Sequence, residues 1–124
     1  MAEGRKRARL SRSGDFDRVF RDGRSQANRF LVAYSFPRSD QPGDASVRLG
    51  ISVSRKVGGA TQRNAVKRAL REAFWALEAD LPANHDFVLV ARPDSAGLLE
   101  REGTSGLQTA LREFVVADSG REAA

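Results

Sequence analysis

The chain contains no cysteine and one histidine, His85, among its 124 residues. Without cysteine there is no disulfide, no catalytic thiolate and no cysteine-based zinc site, and one histidine cannot form a metal cluster alone. No apolar run approaches the roughly 20 residues that cross a bilayer, and the basic N-terminus lacks the apolar segment of a secretory signal. We therefore expect one compact domain, stabilised by its own core, in a reducing cytoplasm.

The motifs of common catalytic sites are also missing. The sequence has no G-x-x-x-x-G-K-[ST] phosphate loop, no G-x-S-x-G elbow and no aromatic signature of an RNA-recognition module, and Gly58-Gly59 does not match a G-x-x-G clamp. Asp15 and Asp17 lie two residues apart, so they point to different faces of a helix and are better explained as charges near its N-terminus. The sequence thus predicts a protein that binds, with no catalytic residue and no metal ligand of its own.

Acidic residues are missing from the most basic stretch, residues 54–71, which carries six cationic side chains. The net charge of the chain is +5, but residues 1–71 hold 17 basic and 6 acidic side chains, whereas residues 72–124 hold 4 and 10. This asymmetry indicates that one part of the protein binds a polyanion. A membrane surface would also attract the charge, but the basic stretch has no hydrophobic face beyond what its own core needs.

A helix is predicted over residues 61–80, directly after the glycine pair. At about 100° per residue, its cations and Asn64 share roughly 140° of arc, opposite an apolar stripe. Cations four residues apart repel each other, which makes an ordinary solvated helix face the weaker interpretation. We therefore predict that a nucleic-acid backbone is bound by residues of the N-terminal arm, the turn and the helix: Arg12, Arg55, Lys56, Gly58, Gly59, Arg63, Asn64, Lys67, Arg68 and Arg71.

The same stretch resembles a known signature. Residues 56–68, K-V-G-G-A-T-Q-R-N-A-V-K-R, resemble the motif of the bacterial ribonuclease P protein subunit, whose R-N-x-x-K-R core runs here from Arg63 to Arg68. The resemblance covers roughly the first two-thirds of the chain and is looser beyond. Many members carry a further basic residue where Ala65 stands, so any contact made from that position is absent here.

The resemblance implies a division of labour between protein and RNA. In this family a catalytic RNA subunit with bound magnesium hydrolyses a phosphodiester and removes the 5′ leader of precursor tRNA. The protein contacts the catalytic RNA and the leader. The expected partners are therefore these two RNAs, with magnesium held mainly by RNA, and neither a membrane nor DNA is expected as a partner.

Four side chains near the N-terminus form a second candidate site. Phe16 and Phe20 share one stripe of a helix predicted over residues 13–22, and Val32 and Tyr34 share one face of a predicted strand. On the residues alone, an ordinary core is the preferred interpretation. The resemblance implies instead a shallow groove for the single-stranded leader, because flat rings accept any base by stacking.

The order of predicted elements is helix, two strands, helix, strand, helix. This order gives an α/β (α+β) two-layer sandwich with a small, mostly antiparallel sheet, in which the first two strands form an antiparallel pair. The resemblance adds a left-handed βαβ crossover, against the right-handed default. The strands are predicted at residues 29–36, 47–53 and 85–92, with a link or short strand at 24–27, a polar loop at 93–106 and a last helix at 104–116.

Around this domain, residues 13–117, the sequence predicts a basic arm at 1–12, disordered by itself, and a flexible tail at 118–124. One alternative function is a structural ribosomal-type RNA-binding protein or an RNA chaperone, which needs no aromatic groove. A DNA-binding helix-turn-helix protein is a weaker alternative, because Gly58-Gly59 follows a predicted strand and not a helix.

Overall fold

The computed structural model describes residues 7–10, 13–38 and 47–123, with side chains described as far as residue 114. None of the helices in these ranges is both long and apolar enough to cross a membrane. The elements in chain order are β1 Arg7–Arg9, α1 Ser13–Asp22, β2 Arg24–Ala27, β3 Leu31–Pro37, β4 Val47–Val53, a 3₁₀ turn Arg55–Val57, α2 Ala60–Ala76, a 3₁₀ turn Glu78–Asp80, β5 His85–Ala91 and α3 Asp94–Ala123.

The five strands form one mixed sheet in the order β1-β4-β5-β3-β2. β4 runs parallel to both β1 and β5, whereas β3 runs antiparallel to both β5 and β2. The predicted antiparallel pair of β3 and β4 is therefore wrong, and the sheet is evenly mixed instead of mostly antiparallel. The reason lies in β5, whose Val88 and Leu89 are buried on opposite faces and so require the centre of the sheet.

Parallel neighbours need a crossover connection, and α2 provides it between β4 and β5. α2 and α3 pack together on one face of the sheet, where most of the buried apolar side chains gather. The three predicted helices and the α+β class are confirmed. The left-handedness that the resemblance implies for the β4–α2–β5 crossover stays a prediction.

α3 is longer than the sequence predicts. Residues 94–102, predicted as a polar loop, are helical, and the predicted helix start coincides with a kink at Gly103, whose φ is 71°. The few apolar residues of this first segment account for the error, since buried Leu98 and the hydroxyl of Ser95, which donates to the carbonyl of Arg92 at 2.7 Å, are enough to fix it. The helix continues to Ala123, through the region predicted as a tail.

Part of the predicted N-terminal arm belongs to the sheet. β1 pairs with β4, and the following Leu10 is buried with its amide donating to the carbonyl of Leu49 at 2.9 Å. The prediction of a disordered arm is therefore wrong for residues 7–10, because the arm supplies an apolar anchor among its cations. Arg12 lies outside the described residues.

Among the described elements, α1 is the one that covers the second face of the sheet. Val19 of α1 packs there in a small cluster with Leu10 and Val88. A helix of 10 residues, about 15 Å long, cannot cover a whole sheet face, so the described residues leave part of this face open. The confirmed edge strand β2 borders the open part.

Candidate functional site

The strand registers place three rows of side chains on the face that α1 covers. Burial decreases along the strands: Val88 of the middle row is fully buried, whereas all members of the last row are partly exposed. The last row is the one nearest the end of β4, where the chain enters the basic turn. The rows are Arg48, Asp86 and Phe36; then Gly50, Val88 and Tyr34; then Ser52, Val90 and Val32.

An ionic cluster forms around Asp86 of the first row. Its other members are Arg48 of the same row, Arg38, and Arg18 and Asp15 of α1. The fully buried Asp86 accepts a hydrogen bond from Nη1 of Arg38 at 2.7 Å and two from Arg48, also at 2.7 Å. Arg18 of α1 lies 3.7 Å from Asp86 and 3.2 Å from Asp15. The ionic cluster therefore ties α1 to the sheet and fixes where the aromatic side chains of the helix lie.

Three of the four predicted groove residues lie together at the middle row, where Phe16 and Phe20 of α1 approach Tyr34 of β3. The rings of Phe16 and Phe20 are 6.3 Å apart, and Phe20 meets Tyr34 edge to face at 4.8 Å. Phe20 is 41% exposed, the one exposed large apolar side chain among the described residues. Val32 lies one row further on, half-buried. We call these four side chains the aromatic groove.

Gly50 makes room for the aromatic groove. A Cβ on Gly50 would lie 2.5 Å from Cζ of Phe16, which is closer than real side chains approach. The sequence alone did not single out this residue or Ser52 and Val90 of the last row. The alternation of β4 and β5 contains their signal, but the predicted pairing of β4 with β3 concealed it.

The turn between β4 and α2 exposes Arg55 and Lys56, two of the predicted binding residues. Its two glycines differ. A Cβ on Gly58 would lie 2.0 Å from Oε1 of Gln62, the atom that accepts the Gly59 amide at 3.2 Å. At Gly59, φ is −74° and no atom lies within 4 Å of an added Cβ, so the fold itself does not require glycine there.

The predicted cations of α2 lie on its outer side. Arg68 and Arg71 are exposed with Asn64, whereas Arg63 and Lys67 are half-buried. None of these four cations makes an ion pair within the part of the chain that the structure describes. The first turn of α2 contains no acid. Phosphates of a nucleic-acid backbone are the kind of partner whose charge would compensate such a row.

A cavity connects the two candidate sites. It measures about 440 Å³ and is lined by Phe16 of the aromatic groove and by Lys67 and Arg71 of α2. Arg7 and Trp75 line it as well, and neither was predicted as a site residue from the sequence. The structure thus brings α1 and the basic helix to one cleft at the β1 edge of the sheet.

The acidic side chains do not form a metal site within the described residues, where no group of three or more potential ligands comes together. The two carboxylates of the ionic cluster, Asp15 and Asp86, are both paired with arginines. Guanidinium partners neutralise the charge that a magnesium ion would need. These residues therefore do not fit a protein-held magnesium ion.

Both sequence and fold are similar to proteins of one family. A family model described as Ribonuclease P matches residues 5–115. The ribonuclease P protein component of Bacillus pumilus is 38% identical over 112 residues, which cover 90% of this chain and 92% of the relative. Among solved structures, the RNase P protein of Staphylococcus aureus matches with a TM-score of 0.73 at 34% identity, and that of Thermotoga maritima with 0.73 at 32%. Each match covers 90% of this chain, together with 94% of the Staphylococcus aureus chain and 96% of the Thermotoga maritima chain.

Proposed function

This chain belongs to the family of ribonuclease P protein components, and we propose that it binds the catalytic RNA of that enzyme and the 5′ leader of precursor tRNA. It is the protein component of an endoribonuclease that matures the 5′ end of tRNA. In this proposal the basic face of α2 and the turn before it contact phosphates. The aromatic groove receives unpaired leader bases.

The observation that carries the proposal is the row of four cations on α2 without an ion pair among the described residues. Phosphates of a nucleic acid would supply the missing negative charge and relieve the repulsion between neighbouring cations. The aromatic groove favours an unpaired strand as the substrate, because its rings are partly exposed and flat rings can stack on unpaired bases.

Hydrolysis itself is assigned to the RNA. Magnesium bound there would stabilise the charge that develops on the phosphate. The protein's contribution is to hold two polyanions together, since its cations offset the repulsion between catalytic RNA and substrate. Such an effect is largest when little magnesium is present to screen the phosphates.

The proposal is tested by cleavage of precursor tRNA at low magnesium. We expect the protein with a bacterial ribonuclease P RNA to release the leader at a single position, faster than the RNA alone, and the protein alone to cleave nothing. A protein that accelerates annealing of unrelated RNAs but not leader release would be an RNA chaperone instead. Cleavage by RNA-free protein that is lost on point mutation would contradict the assignment of chemistry to RNA.

Replacing Arg68 by alanine should weaken RNA binding without changing stability. Arg68 is exposed and has no ion pair with a described residue, so its loss removes a phosphate contact and little else. The slope of log affinity against log salt should flatten by about one unit. Arg112→Ala, at an exposed arginine of α3, serves as the control and should keep the wild-type slope. An unchanged slope for Arg68→Ala would exclude a phosphate contact.

The Gly59→Ser variant tests whether the RNA backbone approaches Gly59, separately from any effect on folding. Gly59 is the N-cap of α2, a position where serine is at least as favourable as glycine, and an added Cβ meets no neighbour there. The melting temperature should therefore stay at or above that of the parent, while affinity for the catalytic RNA falls if its backbone approaches this surface. Full affinity in Gly59→Ser would remove Gly59 from the RNA contact.

A further inference from the structure

The cleft between β1 and α2 is lined by cations without acids. Of its lining residues, Arg7 and Arg9 come from β1 and Lys67 and Arg71 from α2, and no described lining residue is acidic. Its volume of about 440 Å³ falls within the roughly 300–1,000 Å³ that small-molecule sites occupy. The cleft is therefore large enough for a nucleotide and has the charge to attract one.

Trp75 gives this cleft a flat aromatic wall. The guanidinium of Arg7 lies 5.2 Å from the centre of the indole, and Phe74 packs against the indole edge to face at 4.9 Å. Nη2 of Arg7 donates to Oε1 of Glu78 at 2.7 Å, a bond that raises the pKa of the guanidinium. Arg7 is thus held over Trp75 before any ligand binds, and the pair forms a prepared stacking surface.

The other cations of the cleft have no partner of this kind. Arg9, Lys67 and Arg71 make no ion pair with a described residue, and Lys67 and Arg71 lie four residues apart on α2. Their mutual repulsion is relieved by an anion placed between them. The cleft therefore combines an anion site with an adjacent aromatic surface, which is the arrangement that binds a phosphate and its base together.

We propose that this cleft binds a nucleotide of single-stranded RNA, with a phosphate between Lys67 and Arg71 and a base against the Arg7–Trp75 pair. The inference rests on the proposed function and extends it to a site beyond the aromatic groove. Phe16 lines both, so a strand that leaves the groove can enter the cleft around the edge of the sheet. The strand belongs either to the leader or to an unpaired segment of the catalytic RNA, and the chemistry is the same.

Trp75 is the sole tryptophan of the chain, so its fluorescence reports on this cleft directly. We expect a single-stranded RNA of about ten nucleotides, a length within the range that small single-strand sites cover, to change the emission and to protect Trp75 from acrylamide quenching. If the oligonucleotide protects Trp75 and the ribonuclease P RNA does not, the cleft is assigned to the leader. Protection only by the ribonuclease P RNA assigns it to that RNA. Protection by neither overturns the proposal.

Two variants test the assignment through affinity. Trp75→Leu keeps an apolar side chain but removes the flat ring, and Arg71→Ala removes an exposed cation without touching the core. Each should weaken binding of whichever RNA protects Trp75 about fivefold or more, while Arg112→Ala binds like the parent. If Trp75→Leu fails to fold, the Arg71→Ala variant still tests the proposal. An affinity of Arg71→Ala for that RNA equal to the parent's overturns the proposal. Leader cleavage that persists in both variants with parental affinity rejects the cleft while leaving the proposed function intact.

Discussion

Replacing Asp86 by asparagine is expected to cost about 3–5 kcal/mol of unfolding free energy, the range measured when one partner of a buried ion pair is removed. Asp86 is fully buried, and Arg38, which donates to it at 2.7 Å, has a side chain only 2% exposed. The asparagine amide has the same shape but half the acceptor capacity and no charge. The guanidinium of Arg38 would then stay buried, and that of Arg48 partly buried, around a neutral side chain.

Asp94→Asn is the matched control, because Asp94 also accepts a 2.7 Å hydrogen bond from an arginine, Arg29, but at an exposed site. Water replaces the lost partner there, and the unfolding midpoint should hardly move. Urea denaturation of the two variants measures the difference. A loss for Asp86→Asn no larger than for Asp94→Asn would mean that the ionic cluster does not hold α1 on the sheet.

How far the sequence predicts this fold depends on whether the deciding contacts are local. α1 ends at Asp22 and β4 spans Val47–Val53, as predicted, because alternation and helix termini are encoded in adjacent residues. The pairing of β3 with β5 was missed, since it joins strands separated by a helix and depends on which strand is most buried. β1 was missed for the same reason, because Leu10 gains its burial from distant residues.

The same distinction between local and distant contacts applies to the candidate site. Helical periodicity places its cations on one face of α2 and Phe16 with Phe20 on one stripe of α1, whereas the use of these rings and Tyr34 as a groove was implied by the family resemblance. The residues that shape the site could not be named from the sequence: Gly50 matters through contact with Phe16, and Arg7 through contact with Trp75. Neither contact follows from spacing along the chain, and both became visible only when the sheet order was known.

Phe20→Ala is expected to weaken binding of precursor tRNA about 5- to 150-fold, with affinity for mature tRNA unchanged, because one stacked base contributes roughly 1–3 kcal/mol. Phe20 is 41% exposed and touches Tyr34 edge to face at 4.8 Å. Its removal therefore costs the fold little beyond that aromatic contact, worth roughly 0.5–1.5 kcal/mol. Affinities of the reconstituted enzyme for the two tRNAs, measured side by side, check the expectation.

Two further variants on α1 separate stacking from simple apolar contact and from folding. Phe20→Leu retains much of the apolar surface but has no flat ring, so it should behave like Phe20→Ala if bases stack there. Val19→Ala, at the fully buried neighbour, should lower stability and affect both tRNAs alike. If Phe20→Ala instead matches Val19→Ala, losing stability and both affinities together, then Phe20 is a core residue. In that case the leader does not lie in the aromatic groove, and the basic face of α2 alone accounts for RNA binding.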